Sequence, residues 1–190
     1  MLNFKNISKS YNSAGIENVV LDNVDISIKE NDISLIIGKS GVGKSTLLNI
    51  LGCLMKPDNG FLDIDGVAIN LKTDNTENIR IDNFSYVFQE YNLLPEFTIY
   101  ENLLIPSYIN NWNLNQTKSK IADLFDYMNL NHLSNTYPNL ISHGEKQRIA
   151  ILRSLLGKQQ IILALQSNPI ILTNNLNQTN NNLSGLIKLK

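Results

Sequence analysis

The chain has 190 residues, 43% of them hydrophobic and 17% charged, with a formal net charge of −1. That length suits one domain, or one domain carrying a small inserted subdomain. The near-neutral balance excludes a bulk electrostatic pull on nucleic acid or acidic lipid, and 7% aromatics offer little for a base-stacking platform, so no nucleic-acid partner is expected. The single cysteine, Cys53, excludes an intramolecular disulfide and reads as a small buried hydrophobe in the apolar helical stretch LLNILGCL, in keeping with a reducing compartment. No apolar run approaches the roughly 18 residues that span a bilayer. The first residues, MLNFKNISKS, show no signal-peptide core. A soluble protein is expected, reaching any membrane through a partner.

Residues 2–8 and 18–28 read as strands, the second on the alternation in VVLDNVDISI. ISLII at 33–37 is a short continuous apolar run, the pattern of a strand buried on both faces. A glycine-rich turn follows. STLLNILGCLM then reads as a helix with Leu47, Leu48, Ile50, Leu51 and Leu54 on its apolar face, ended by Pro57 and the Asp58–Asn59–Gly60 turn. FLDIDGVAI is a strand pair broken at Asp65–Gly66, and FSYVFQ at 84–89 is a further strand. Two helices are expected near 98–108 and 116–129, another at 143–156, and IILAL at 161–165 resembles a buried strand. From Gln166 the chain is Asn-rich and nearly uncharged, which predicts a frayed or weakly folded end. Strand, glycine turn and helix, followed by more of both, define an α/β class.

The glycine turn carries the first chemistry. Gly38, Lys39, Ser40, Gly41, Val42, Gly43, Lys44 and Ser45 fit the P-loop pattern G-x-x-x-x-G-K-S/T completely, between a buried strand and an amphipathic helix. The glycines let the backbone curl so that successive N–H groups, with the helix N-terminus, face phosphate oxygens. Lys44 supplies a point charge for the β- and γ-phosphates. The Ser45 hydroxyl suits Mg²⁺, an oxygen-seeking ion. Thr46 can add a hydroxyl on the α-phosphate side. A bland turn that merely starts a helix is the competing reading.

Three further segments resemble the ATP-binding subunits of ABC transporters. Tyr11 precedes the P-loop as the aromatic that stacks on adenine does in that family; a surface turn tyrosine is the rival reading. YVFQEYNLLPEFTIYENL at 86–103 is similar to the Q-loop region of the subfamily that exports lipoproteins, macrolides and antimicrobial peptides, with Gln89 at the strand end. ISHGEKQRIAILRSL at 141–155 resembles the family signature and its helix, and LLNILGCLMKPDNG at 47–60 also matches the subfamily. The resemblance covers residues 2 to about 155. It implies a P-loop NTPase fold of ABC ATPase type, with a β-rich N-terminal part and a helical insert. It further implies ATP and Mg²⁺ as cofactors, with Gln89 reaching the metal or the attacking water. A second ATP-binding subunit is implied, in a homo- or heterodimer whose signature (Ser142, His143, Gly144 and Glu145) meets the nucleotide in trans. The last implied partner is a transmembrane permease that keeps the chain cytoplasmic and peripheral, on the inner face of the cell membrane.

The sequence departs from that pattern in three places. The signature is usually L-S-G-G-Q, and His143 stands where a glycine lets backbone approach phosphate. The Asp and Glu that orient Mg²⁺ and polarise water after a buried strand have no counterpart: an ungapped count from Ser142 reaches Leu165 and Gln166. A gapped reading makes 157–165 an insertion, aligns Gln166–Leu172 with the family's approach to that strand, and matches Thr173–Asn177 to the later D-loop. Both alignments stay open, and both lack an acid, since no Asp or Glu follows Glu145. The chain is also expected to end before the family's switch histidine. His132 and His143 are the only histidines, and two isolated histidines make a poor metal site.

The expected organisation is a nucleotide-binding domain over 1–165, with a helical subdomain at about 98–140, followed by a degenerate Asn-rich segment, 166–190. The expected function is to bind ATP and drive a permease, with impaired hydrolysis and no catalytic residue assigned. The alternatives are a non-hydrolysing binding module and a decayed relative. In the decayed case a missing central strand leaves the parallel sheet with an unpaired edge beside the P-loop strand.

Overall fold

A computed structural model describes residues 2–28, 33–64, 66–159, 161–164, 170–174 and 183–188. The chain divides into two compact units, Met1–Phe84 with Gln160–Lys190, and Ser85–Gln159.

The first unit opens with β1 (Leu2–Ser13) and β2 (Ile16–Ile28), an antiparallel pair longer than the sequence pattern suggested. Their outer halves lie open, with Ile16 and Val19 exposed, and the buried residues are Leu2, Phe4 and Ile7 of β1 and Leu21, Ile26 and Ile28 of β2. β4 (Asn59–Ile64) pairs antiparallel with β1, and β5 (Val67–Asn70) with β4, giving the order β2-β1-β4-β5. Asp58 fastens this sheet at its edge: Lys9 Nζ donates to it at 2.8 Å and the Ser10 N–H at 2.6 Å.

The second sheet of this unit is built on β3 (Ile33–Ile37). Ser34 and Ile36 are buried while Ile33, Leu35 and Ile37 are half-buried, so one face of β3 is covered more fully than the other, not both equally. β3 pairs with β9 (Leu183–Lys188) in parallel and with β8 (Ile170–Asn174) antiparallel; β7 (Ile161–Ala164) pairs antiparallel with β8. Thus β3 has a neighbour on both sides, and the unpaired edge expected of a decayed chain is absent among the described residues. The all-parallel arrangement is also not found, because β7 and β8 form a hairpin. Two of the strands come from the Asn-rich segment, where IIL and LIK supply enough apolar residues for pairing.

Between β3 and β4 lies α1 (Lys44–Leu51), whose Leu47, Leu48, Ile50 and Leu51 are fully buried. This helix is shorter than its apolar pattern predicts. Gly52 N–H still donates to Leu48 O at 2.9 Å, but Cys53 takes φ +57°, which leaves the helical path and turns Leu54 outward, 41% exposed. A short helix over 77–83, α2 (Glu77–Asn83), has no apolar stripe and was not foreseen.

The second unit takes in β6 (Phe84–Val87) from Ser85 onward, and its helices are α3 (Ile99–Ile109), α4 (Leu114–Met128) and α5 (His143–Leu155). Its span, 85–159, starts earlier and ends later than the helical stretch read from sequence. α3 begins with a reciprocal capping box between Thr98 and Glu101, and α4 with an Asn113 cap. Ile99, Leu103, Ile121, Phe125, Ile149 and Leu152 form its buried core.

Candidate functional site

The P-loop occupies the turn between β3 and α1, and the glycines explain its path. Gly43 takes φ +100°, and a Cβ there would lie 2.6 Å from Val20 Cγ1 and 3.2 Å from Val20 O. Gly41 is also left-handed, at φ +78°. Gly43 is the N-cap of α1, with no side-chain cap and no acid in the first turn. The first amides of the helix are therefore left for an anion, where the macrodipole favours one. Lys44 is 9% exposed, and its ammonium donates to Gly38 O and Lys39 O at 2.8 Å each. The cation is held over the loop by the loop's own carbonyls. Ser45 is exposed and Thr46 half-buried.

Tyr11 lies within β1, which continues past the 2–8 span read as a strand. It is 40% exposed; its hydroxyl donates to Met55 Sδ at 3.2 Å, and Lys9 Nζ sits 5.7 Å from the ring centroid. Cys53 is half-buried, and burial pushes its thiol up to about 11, so it stays protonated and unreactive.

Gln89 belongs to the second unit. It is exposed in the turn after β6, two residues beyond the end of the strand that was expected to finish at it. Tyr91 and Asn92, next in this turn, are both left-handed, with φ of 58° and 47°. Arg153 on α5 donates to Tyr91 O at 2.6 Å and to Asn92 O at 2.7 Å. Burial lowers the Arg153 pKa, but a guanidinium remains charged, and these two carbonyls answer its fork. The loop beyond is organised by Asn102, which is fully buried. It accepts from Leu94 N–H at 2.8 Å and donates to Leu94 O, Phe97 O and Thr98 O at 3.0 Å each.

The signature begins α5. Ser142 is its N-cap and forms a capping box with Glu145: Ser142 Oγ and N–H donate to Glu145 Oε2 at 2.6 and 2.8 Å. Those bonds, the hydroxyl's first, hold the Glu145 carboxyl below its ordinary pKa, and His132 Nε2 at 3.7 Å adds to the effect. The His143 ring stands edge-on to the Tyr91 ring, with centroids 4.9 Å apart at 71°. Apart from its chain neighbours and the backbone of its own helix, nothing lies within 4 Å of where a Gly144 Cβ would be.

The site residues thus fall into two groups. Tyr11 and Gly38–Thr46 lie in the first unit, and Gln89 with Ser142, His143, Gly144 and Glu145 in the second. Leu165 and Gln166 lie outside the described residues. In the gapped reading, Thr173 pairs with Ile33, at the end of β3 away from the P-loop. Among the described residues, no group of three or more His, Cys, Asp or Glu could hold a metal. Sequence reasoning missed Asn102 and Arg153, which act on loops far along the chain. It also missed the two capping boxes, although Thr98-x-x-Glu101 and Ser142-x-x-Glu145 spell them out.

An uncapped helix after a buried strand, with a lysine folded over a glycine loop, defines a P-loop nucleotide-binding domain, and the α/β architecture is of the ABC ATPase type. The family model for ABC transporters matches residues 21–164, and the chain belongs to the ABC transporter family. It is 41% identical over 146 residues to a lipoprotein-releasing system ATP-binding protein LolD of Cytophaga hutchinsonii, covering 76% of this chain and 67% of that one. The LolD of Bacteroides fragilis is 36% identical over 165 residues, covering 86% and 74% of the two chains. A solved dimer of the ATP-binding cassette MJ0796, bound to ADP and Pi, superposes with a TM-score of 0.75 at 35% identity, covering 86% of this chain and 73% of that one.

Proposed function

We propose that this chain is the ATP-binding subunit of an export system that holds Mg-ATP and hydrolyses it poorly. The observation that carries the reading is the Lys44 ammonium poised over Gly38 and Lys39 at the uncapped start of α1. Gly38–Thr46 bind the phosphates, with Ser45 as a Mg²⁺ ligand and Tyr11 against the adenine. Gln89 serves the metal or the attacking water. Ser142, His143, Gly144 and Glu145 meet the nucleotide of a second ATP-binding subunit. No described helix is long and apolar enough to cross a membrane. A permease supplies the membrane path and holds the chain at the inner face of the cell membrane, a reading supported by the LolD and MacB relatives. The names of the relatives support lipoprotein release as the transport class.

Poor hydrolysis follows from chemistry. One neighbour of β3 is the antiparallel β8, and no Asp or Glu stands between residues 146 and 190. A missing general base typically lowers the rate about 10²–10⁴-fold. Binding depends on the loop amides and Lys44, which are in place. The test is calorimetric binding of Mg-ATP alongside phosphate release. Binding with release at least about 100-fold below that of a complete cassette is expected. Release at a full cassette's rate, lost in Lys44→Met, would remove the claim of poor hydrolysis. No binding at millimolar Mg-ATP would remove the whole reading.

A further inference from the structure

The loss of the signature glycine to His143 creates a steric problem, and the second unit contains an arrangement that answers it. Tyr91 is gripped at both ends by α5. Its ring meets the imidazole of His143, the first residue of the helix, and its carbonyl accepts from Arg153. The two helix residues are ten positions apart, about 15 Å along the axis at 1.5 Å per residue. Long side chains on a helix lean toward its N-terminus, so Arg153 reaches back while the Tyr91 ring reaches on toward His143. The neighbouring Asn92 carbonyl takes the other prong of the guanidinium, and both residues are held in the left-handed region. The turn is thereby strapped along the helix, and the imidazole has a fixed aromatic neighbour instead of open rotation.

We propose that Tyr91, fixed by Arg153, is a positioning residue that parks the His143 ring aside, so that the substituted signature can still meet the nucleotide of a second copy of this chain. This rests on the proposed ATP-binding function and deepens it. Tyr91 acts through His143, the ring it contacts.

The experiment is sedimentation velocity of the full chain with and without Mg-ATP, with nucleotide binding measured on the same samples. The wild type is expected to associate in an ATP-dependent manner. Tyr91→Ala is expected to weaken that association about 3- to 10-fold, the range an aromatic pair supplies, while ATP binding stays unchanged. Tyr91→Phe keeps the ring and should associate as the wild type does. In a His143→Gly background no imidazole needs parking, so Tyr91→Ala should have no further effect. Equal weakening in both backgrounds would mean that Tyr91 is merely structural and would overturn the proposal, as would a wild type that binds ATP and stays monomeric. A wild type that binds no ATP would instead sink the functional reading on which the proposal stands.

Discussion

Replacing Lys44 with methionine keeps most of the stem and removes the charge. The wild-type ammonium holds two carbonyls at 2.8 Å and is 9% exposed, so it is already at its post before phosphate arrives. One charge-assisted hydrogen bond to phosphate is worth about 1.5–3 kcal/mol. Its loss should weaken Mg-ATP binding roughly 10- to 150-fold. At a ligand concentration of about 100 times the wild-type Kd, mass action stabilises the native state by about 2.7 kcal/mol. That is a rise of roughly 5–11 °C in Tm for a chain of this size. In Lys44→Met the same concentration leaves about 0.3–1.4 kcal/mol, a rise of roughly 1–6 °C. The variant without ligand also loses the bonds to Gly38 O and Lys39 O, so each protein is compared with its own ligand-free melt, by differential scanning fluorimetry. An undiminished ligand shift in Lys44→Met would place the nucleotide elsewhere and refute the reasoning.

Three other substitutions probe the frame around the site. Gly43→Ala puts a Cβ 2.6 Å from Val20 Cγ1 at φ +100°, so urea melts should show a loss of about 1–3 kcal/mol and no recovery with Mg-ATP. Asn102→Leu takes the buried side-chain partner from Leu94 N–H and Phe97 O, while Leu94 O and Thr98 O keep the backbone donors Phe97 N–H and Asn102 N–H, and should cost about 2–4 kcal/mol in the same assay. Asp58→Asn should cost only about 0.5 kcal/mol, because the Asp58 side chain is 44% exposed and water screens the pair. The Asp58 pKa is lowered by the Lys9 hydrogen bond first, then by Ser10 N–H. Its stabilising effect is therefore complete above the ordinary carboxyl value of 3.8 and fades as pH falls through the lowered one. Melts of the two proteins should converge in acid, and a gap that persists there would contradict the sign.

The parts of this molecule that were legible in the sequence are those written in neighbouring residues. The P-loop spells its strand, turn and helix within a few positions, and β3 and α5 match their apolar patterns closely. What was not legible depends on long-range geometry. The helix after the P-loop reads as continuing through LLNILGCLM, but Gly52 and the left-handed Cys53 end it early. Asn102 looks like a surface polar residue in an apolar helix, because nothing in the sequence announces four hydrogen bonds to a folded-back loop. Arg153 meets carbonyls about sixty positions away. The direction of β8 was hidden for another reason: an apolar run such as IIL carries the period of a strand and no sign of its polarity.

That polarity decides which positions lie beside β3 at the end that meets the P-loop. In β8 the residue order runs against β3, so Ile170 lies beside Ile36 and Thr173 beside Ile33. An acid placed at Thr173, opposite Ile33, would sit five residues of strand from Gly38, roughly 16 Å away. β7 runs the right way and ends at Ala164, but β8 lies between it and β3. At the end of β3 that meets the P-loop the flanking positions are instead Ile170 of β8, opposite Ile36, and Lys188 of β9, opposite Ile37, so a substitution at either would bring a carboxylate next to the loop.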